Sequence, residues 1–240
     1  MKKIFPFLWC IFIIFQVFLY SQDNNLKTDW PNLKKYAAAD KNLPAPAAVE
    51  NRIVFMGNSI TELWTQIDSS FFANSRYINR GISGQTSPQM LLRFRQDVIN
   101  LKPAVVVILA GTNDIAENTG PITLEDVSGN IVSMAELARI NNIKVILASV
   151  LPAYDFPWHP GLKPAEKIVR LNKMIQLYCE KNDIVYLDYY SSMVDTRGGL
   201  DKRYSDDGVH PTLAGYKIME PLVEKAIQQV FRSSTPDKDK

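Results

Sequence analysis

The stretch IVFMGNSITELW, residues 53–64, opens with an apolar run of the kind that fills a buried strand and stops at Gly57-Asn58-Ser59. Gly, Asn and Ser are ordinary turn residues, so one reading is a plain strand end. The other makes Ser59 a nucleophile held at the edge of a sheet. Which of the two holds depends on what the rest of the chain supplies.

Outward from this stretch, apolar runs of strand length alternate with longer amphipathic segments. Strands are expected at IVFMG (53–57), YINRG (77–81), AVVVILAG (104–111), KVILASV (144–150) and IVYLDY (184–189). Helical periodicity occupies TSPQMLLRFRQDVINL, TLEDVSGNIVSMAELARIN, PAEKIVRLNKMIQLYCEKN and PTLAGYKIMEPLVEKAIQQVF. Strands rich in Val and Ile without clean alternation point to a parallel sheet buried on both faces, with the helices as its right-handed crossovers. The expected fold is therefore α/β, a three-layer α/β/α sandwich, flavodoxin-like, with about five parallel strands in the order 2-1-3-4-5.

The 240 residues, 46% of them hydrophobic, suffice for one domain with a sizeable core. Lys2 and Lys3 precede a mostly apolar run that ends at Ser21, so residues 1–21 read as a signal peptide and the protein as exported, periplasmic or secreted. An uncleaved N-terminal membrane anchor is the alternative. Residues 22–51 read as a polar segment and linker, with a short helix around NLKKYAAAD and a proline-bearing stretch LPAPAAVENR. Residues 52–231 form the domain, and 232–240, RSSTPDKDK, a disordered tail. Without the leader the charge falls from +2 to zero, and no basic stripe suggests a nucleic-acid partner. Cys10 lies in the leader, so Cys179 is left alone in a helical pattern and reads as a buried structural thiol.

In open parallel sheets ligands sit beyond the carboxyl ends of the strands. There the chain places Gly57-Asn58-Ser59, then residues 81–86 (GISGQT), then residues 111–114 (GTND), and before the last helix residues 206–211 (DDGVHP). A serine hydroxyl needs a base to take its proton, and the base needs an acceptor to hold its tautomer. Of the two histidines, His210 has Asp207 three residues before it in a loop closed by Pro211, so Ser59, His210 and Asp207 make a candidate triad. Donors for an oxyanion are available from the backbone N–H of Ser59, the backbone N–H of Gly84 and the side-chain amide of Asn113. The other histidine lies in DFPWHPGLKP, where Tyr154, Trp158 and His159 either wall a substrate pocket or form a surface loop folded around Trp158. No cluster with metal-ligand spacing appears, so a metal is not expected. Phosphate-loop signatures are absent, which excludes a flavodoxin-like nucleotide binder.

Taken together and in order, GNSIT, GISGQT, GTND and DGVHPT resemble the four blocks of the SGNH hydrolase family, the GDSL-type esterases and lipases. The matching blocks span residues 53–212. The resemblance implies a serine esterase with Ser59 as nucleophile, His210 as general base and then acid, Asp207 as its orienter and Ser59, Gly84 and Asn113 as the oxyanion hole. It also implies the same flavodoxin-like sheet and no cofactor. The family's usual Gly-Asp-Ser is here Gly-Asn-Ser, and Asn58 is expected to change the electrostatics beside Ser59 without abolishing activity. The substrate expectation is a short-chain or O-acetyl ester, small or carried on a glycan. The alternatives are longer acyl chains, as for a lysophospholipase or thioesterase on a lipid, and a non-catalytic carbohydrate-binding protein of the same fold. No stable protein partner is inferred.

Overall fold

The computed structural model describes residues 29–47 and 50–232. The leader read at residues 1–21 and the tail beyond Arg232 lie outside the described residues. Five parallel strands, β1 (Ile53–Gly57), β2 (Tyr77–Gly81), β3 (Val105–Ile108), β4 (Lys144–Ala148) and β5 (Val185–Leu187), form one sheet in the order β2-β1-β3-β4-β5. That is the order expected from the sequence. The pairing is in continuous register, Ile53 opposite both Tyr77 and Val105, and Val105 opposite Lys144.

The absence of alternation has a direct cause. Val54 and Met56, Val106 and Ile108, and Val145 and Leu147 face one apolar layer, while Ile53 and Phe55, Val105 and Val107, and Ile146 and Ala148 face another. Both faces are dry, so both sets must be apolar. The first layer is closed by three helices, α3 (Ser87–Asp97), α5 (Leu124–Ile140) and α6 (Ala165–Asn182). The second is closed by α2 (Ser59–Ile67) and α8 (Leu213–Arg232). Two four-residue helices, α4 (Thr112–Ile115) and α7 (Tyr190–Met193), follow β3 and β5. Ahead of the sheet, α1 (Lys34–Asn42) occupies the short helix expected near NLKKYAAAD. No helix among the described residues is long and apolar enough to cross a membrane.

The layer beneath α2 is aromatic. Trp64 stacks on Phe71 at 4.7 Å between ring centroids and on Tyr216 at 5.1 Å, with Phe55 set edge-on to Trp64 and Phe71. The Tyr216 hydroxyl donates to the Ile60 carbonyl at 2.8 Å, which joins the first turn of α8 to the first turn of α2. This joint matters because His210 lies just ahead of α8 and Ser59 begins α2. Cys179 is buried in the opposite layer, and burial pushes its thiol up to about 12, as suits a structural cysteine.

Among the charged side chains buried in the described residues, Arg93 lies deepest. Arg93 on α3 has no exposed surface, and its guanidinium donates to the carbonyls of Gly57 and Arg80 at 2.9 Å each, to Asp97 at 2.8 Å and to the side-chain oxygen of Gln85. Burial pulls the Arg93 guanidinium down and pushes the Asp97 carboxyl up, and their mutual bond opposes both shifts. Arg93→Met is expected to lower unfolding free energy by about 3–5 kcal/mol, since it leaves the buried Asp97 carboxyl without its charge partner and removes the bonds to Gln85 and to the Gly57 and Arg80 carbonyls. Chemical denaturation measures the loss, and adding Asp97→Leu should restore only part of it because the Arg93 bonds to Gln85 and to the Gly57 and Arg80 carbonyls stay lost. Full recovery in the double variant would assign the whole effect to the ion pair instead.

Candidate active site

Ser59 opens α2 directly after β1. Asn58 sits ahead of it with non-helical backbone angles, and its side-chain oxygen accepts from the Ile60 N–H at 3.3 Å. This is an N-cap bond that an aspartate oxygen could make equally well, so the Asn58 departure preserves the local turn. The cap also leaves the Ser59 backbone N–H at the positive end of a helix, where negative charge is favoured.

The close seating of α2 depends on Gly81, the last residue of β2. A Cβ placed there would lie 2.2 Å from the Glu62 backbone nitrogen and 2.8 Å from the Asn58 carbonyl oxygen. These are backbone atoms and cannot swing aside. Beyond Gly81 the chain turns through residues 82–85, where the Gln85 N–H donates to the Ile82 carbonyl and Gly84 takes a φ of 77°. Glycine adopts that angle without penalty, and its backbone stays open because nothing lies within 4 Å of where a Cβ would be. The Ser83 hydroxyl and N–H both donate to Glu62 of α2, at 2.6 and 2.7 Å, which ties this turn to the helix that carries Ser59.

Asn113 is buried on α4, and its amide nitrogen donates to the Gln85 carbonyl at 2.9 Å. One of its two N–H bonds is thus spent on holding the Gly84 turn. Asp114 locks the same pair of loops from below: its carboxylate accepts the Ser87 N–H at 2.9 Å and the Ser87 hydroxyl at 2.6 Å. Burial raises the Asp114 carboxyl, and the Ser87 bonds pull against that rise.

The loop before α8 delivers His210. One Asp207 oxygen accepts the backbone N–H groups of Val209 at 2.9 Å and His210 at 2.7 Å, and the other lies 2.7 Å from His210 Nδ1. Partial burial raises the Asp207 carboxyl, but the bonds from the His210 ring and from these backbone groups outweigh it, and the net position is below the ordinary carboxylate range. An ionised carboxylate accepts only, so the proton of this contact sits on Nδ1. Nε2 is then an acceptor, and it lies 2.9 Å from Ser59 Oγ. The imidazole can therefore receive the serine proton while the carboxylate balances the charge it gains.

Two residues of the assembly were not singled out in the sequence. The Ser205 hydroxyl donates to Asp207 at 3.1 Å and accepts the Gly208 N–H at 2.9 Å, which shapes the turn from inside. Its signal was the Ser-Asp-Asp-Gly spacing, a side-chain-to-backbone turn pattern. Asn118, an exposed loop residue with no such signal, donates to the Gly84 carbonyl at 3.3 Å and accepts the Trp158 indole N–H at 2.9 Å. Trp158 in turn lies against His210, ring centroids 5.9 Å apart. His159 points its Nδ1 to the Ala116 carbonyl at 2.9 Å, so that nitrogen carries the proton and the ring anchors the loop. Tyr154 is exposed under the Arg197 guanidinium, 5.0 Å from the ring centre. The structure thus brings Trp158 to the site, while His159 and Tyr154 hold the loop around it.

A parallel sheet in the order β2-β1-β3-β4-β5 with a Ser-His-Asp chain at its carboxyl edge defines the class as a serine hydrolase with a flavodoxin-like core. Residues 55–218 match the GDSL-like Lipase/Acylhydrolase family. A GDSL-like lipase from Bacteroides thetaiotaomicron VPI-5482 superposes with a TM-score of 0.81 and 54% identity, covering 83% of this chain and 98% of its own. The platelet-activating factor acetylhydrolase IB subunit alpha2 of Homo sapiens is 30% identical over 75% of this chain and 77% of its own length. Esterase TesA of Pseudomonas aeruginosa is 32% identical over 58% of this chain and 63% of its own. The chain belongs to the GDSL-like lipase/acylhydrolase family and is an ester hydrolase.

Gly81→Ala is expected to cost about 1–3 kcal/mol, because the added methyl must push α2 off the end of β2. The same shift moves Ser59 relative to His210, so ester turnover should fall more than the lost stability explains. Urea unfolding and kcat measured on the folded variant would show this, and a stable variant with full turnover would refute the close-packing argument.

Proposed function

We propose that the protein hydrolyses short-chain or O-acetyl esters, favouring those carried on carbohydrate, through a covalent acyl-enzyme. The observation that carries this reading is the unbroken relay of 2.9 Å from Ser59 Oγ to His210 Nε2 and 2.7 Å from His210 Nδ1 to Asp207. His210 takes the Ser59 proton as the oxygen attacks the ester carbonyl. The tetrahedral oxygen is received by the backbone N–H groups of Ser59 and Gly84 and by the Asn113 amide. His210 then protonates the departing alcohol, and a water repeats the sequence in reverse to free the acid.

Each oxyanion donor in such a site is worth about 10²–10³-fold in kcat, so Asn113→Ala should lose that much. Asp207→Asn leaves the ring without its acceptor and should lose on the order of 10⁴-fold. The preference for a small acyl group draws on Trp158, a bulky ring that stands beside His210. One relative is an acetylhydrolase, which suits a small acyl group, and another is an esterase, which supports ester cleavage alone. With residues 1–21 as a leader, the reaction would take place outside the cytoplasm.

Hydrolysis of p-nitrophenyl acetate, butyrate and octanoate by the protein and its Ser59→Ala variant tests the reading, alongside labelling by a fluorophosphonate. Serine-dependent turnover that falls with chain length is the expected result. Turnover that rises with each methylene, by up to ~0.8 kcal/mol of binding apiece, would replace the short ester with a longer acyl chain. No turnover and no labelling would leave a carbohydrate-binding protein of this fold.

A further inference from the structure

An open groove of about 700 Å³ runs from the Gly84 turn to the segment ahead of α1, with Trp30, Asn32 and Lys34 on one side and residues 82–85 and 118–119 on the other. It meets the site described above at Gly84 and Asn118. We infer that this groove is a subsite for a neutral carbohydrate chain, the alcohol portion of the ester, and that residues 29–34 are its outer wall. The inference rests on the short-acyl reading of Ser59 and extends it to the other half of the substrate.

The first argument is that the wall is fixed, although it precedes the sheet. Three glutamine amides of the catalytic domain donate to its backbone: Gln89 to the Trp30 carbonyl at 2.9 Å, Gln85 to the Pro31 carbonyl at 2.7 Å, and Gln96 to the Leu33 carbonyl. Below it, Lys35 pairs with Glu62 at 2.6 Å, Asp40 pairs with Arg80, and the Tyr36 hydroxyl donates to the Gly81 carbonyl. Because the glutamines grip main-chain carbonyls, the side chains of Trp30, Asn32 and Lys34 are not consumed in holding the segment. Trp30 keeps 45% of its surface exposed.

The second argument is the character of the lining. Trp30 and Ile82 are its apolar side chains, and the rest are amides, hydroxyls, glycine and one pair of opposite charges, Asp29 and Lys34. For an acyl chain the wholly apolar side-chain partners are few, the Trp30 indole and Ile82, and Ile82 is itself 5% exposed. A phosphate or carboxylate ligand would find one lysine offset by one aspartate, and Asp29 already accepts the Leu33 and Lys34 N–H groups. A neutral polyol suits both features: its hydroxyls exchange bonds with amides, and the apolar face of a sugar ring covers an indole. If the acyl group is as small as acetyl, whatever fills a groove of this size must belong to the alcohol.

Continuity supplies the third argument. Asn118 lines the groove, holds the Gly84 carbonyl, and accepts the indole N–H of Trp158, which is 44% exposed beside His210. Asn118 therefore joins the groove to the Gly84 turn on one side and to the indole beside His210 on the other.

The test compares the full chain and its Trp30→Ala variant on p-nitrophenyl acetate, on O-acetylated mono- and oligosaccharides of glucose, mannose and xylose, and on a 2-acetyl glycerophospholipid. The expected result is a kcat/KM that rises from monosaccharide to oligosaccharide. In Trp30→Ala the ratio of oligosaccharide to p-nitrophenyl acetate turnover should fall about tenfold, mainly through KM, with an unchanged unfolding midpoint. Active enzyme with no gain from added sugar units, or an unchanged ratio in the variant, would overturn the subsite and leave the esterase reading standing. Preference for the phospholipid would overturn it as well. If no ester is cleaved and Ser59 is not labelled, the esterase reading fails, and calorimetric titration of the same oligosaccharides still decides the groove: binding weakened about tenfold by Trp30→Ala upholds it, and no binding refutes it.

Discussion

The guanidinium of Arg93 is the constraint on which the carboxyl edge of the sheet depends. At the end of β1 the Gly57 carbonyl already accepts the Ile82 N–H just beyond β2, and Arg93 adds a second bond to it and one to the Arg80 carbonyl. Arg93 supplies both from one planar group and still reaches Gln85 and Asp97. A lysine could not, because its three donors radiate from one point instead of lying in a fixed fork. The ends of two strands and the turn that presents Gly84 are thereby fixed by a single side chain on α3.

Around that fixed edge the site is assembled from pieces far apart in the chain. Ser59 and His210 are separated by 151 residues and meet because α2 and α8 share one aromatic layer and one hydrogen bond, Tyr216 to Ile60. Asn113 meets Gly84 because Asp114 is locked to Ser87 at the start of α3. Neither connection touches the reacting atoms. Both decide whether those atoms lie 3 Å apart or 5 Å apart, which is the difference between a relay and a surface serine.

The segment before the sheet follows the same logic from the outside. Its sequence is polar and marked by Pro31, Pro44 and Pro46, and on composition alone it reads as a linker. Its attachment comes from glutamines on the other partner, Gln85, Gln89 and Gln96, whose spacing shows only that they lie in or beside a helix. A contact made by main-chain carbonyls leaves almost no trace in the residues that provide them.

What the sequence by itself determined were the features that follow from local chemistry. Apolar runs at 53–57, 104–111 and 144–150 had to be strands buried on both faces, glycine had to occupy the tight turns, and Asp207 with His210 formed a pair within a single short loop. For each, the physical cause lies within a few residues, so the pattern carries it. The tertiary structure alone decided the rest. It showed that Trp158 rests on His210, whereas His159 turns away to the Ala116 carbonyl. It showed Ser205 and Asn118 as supports, Arg93 as the interior pin, and residues 29–34 as a wall of the groove. These contacts join groups from different elements, and their distances are set by how helices pack on the sheet, which no local spacing encodes.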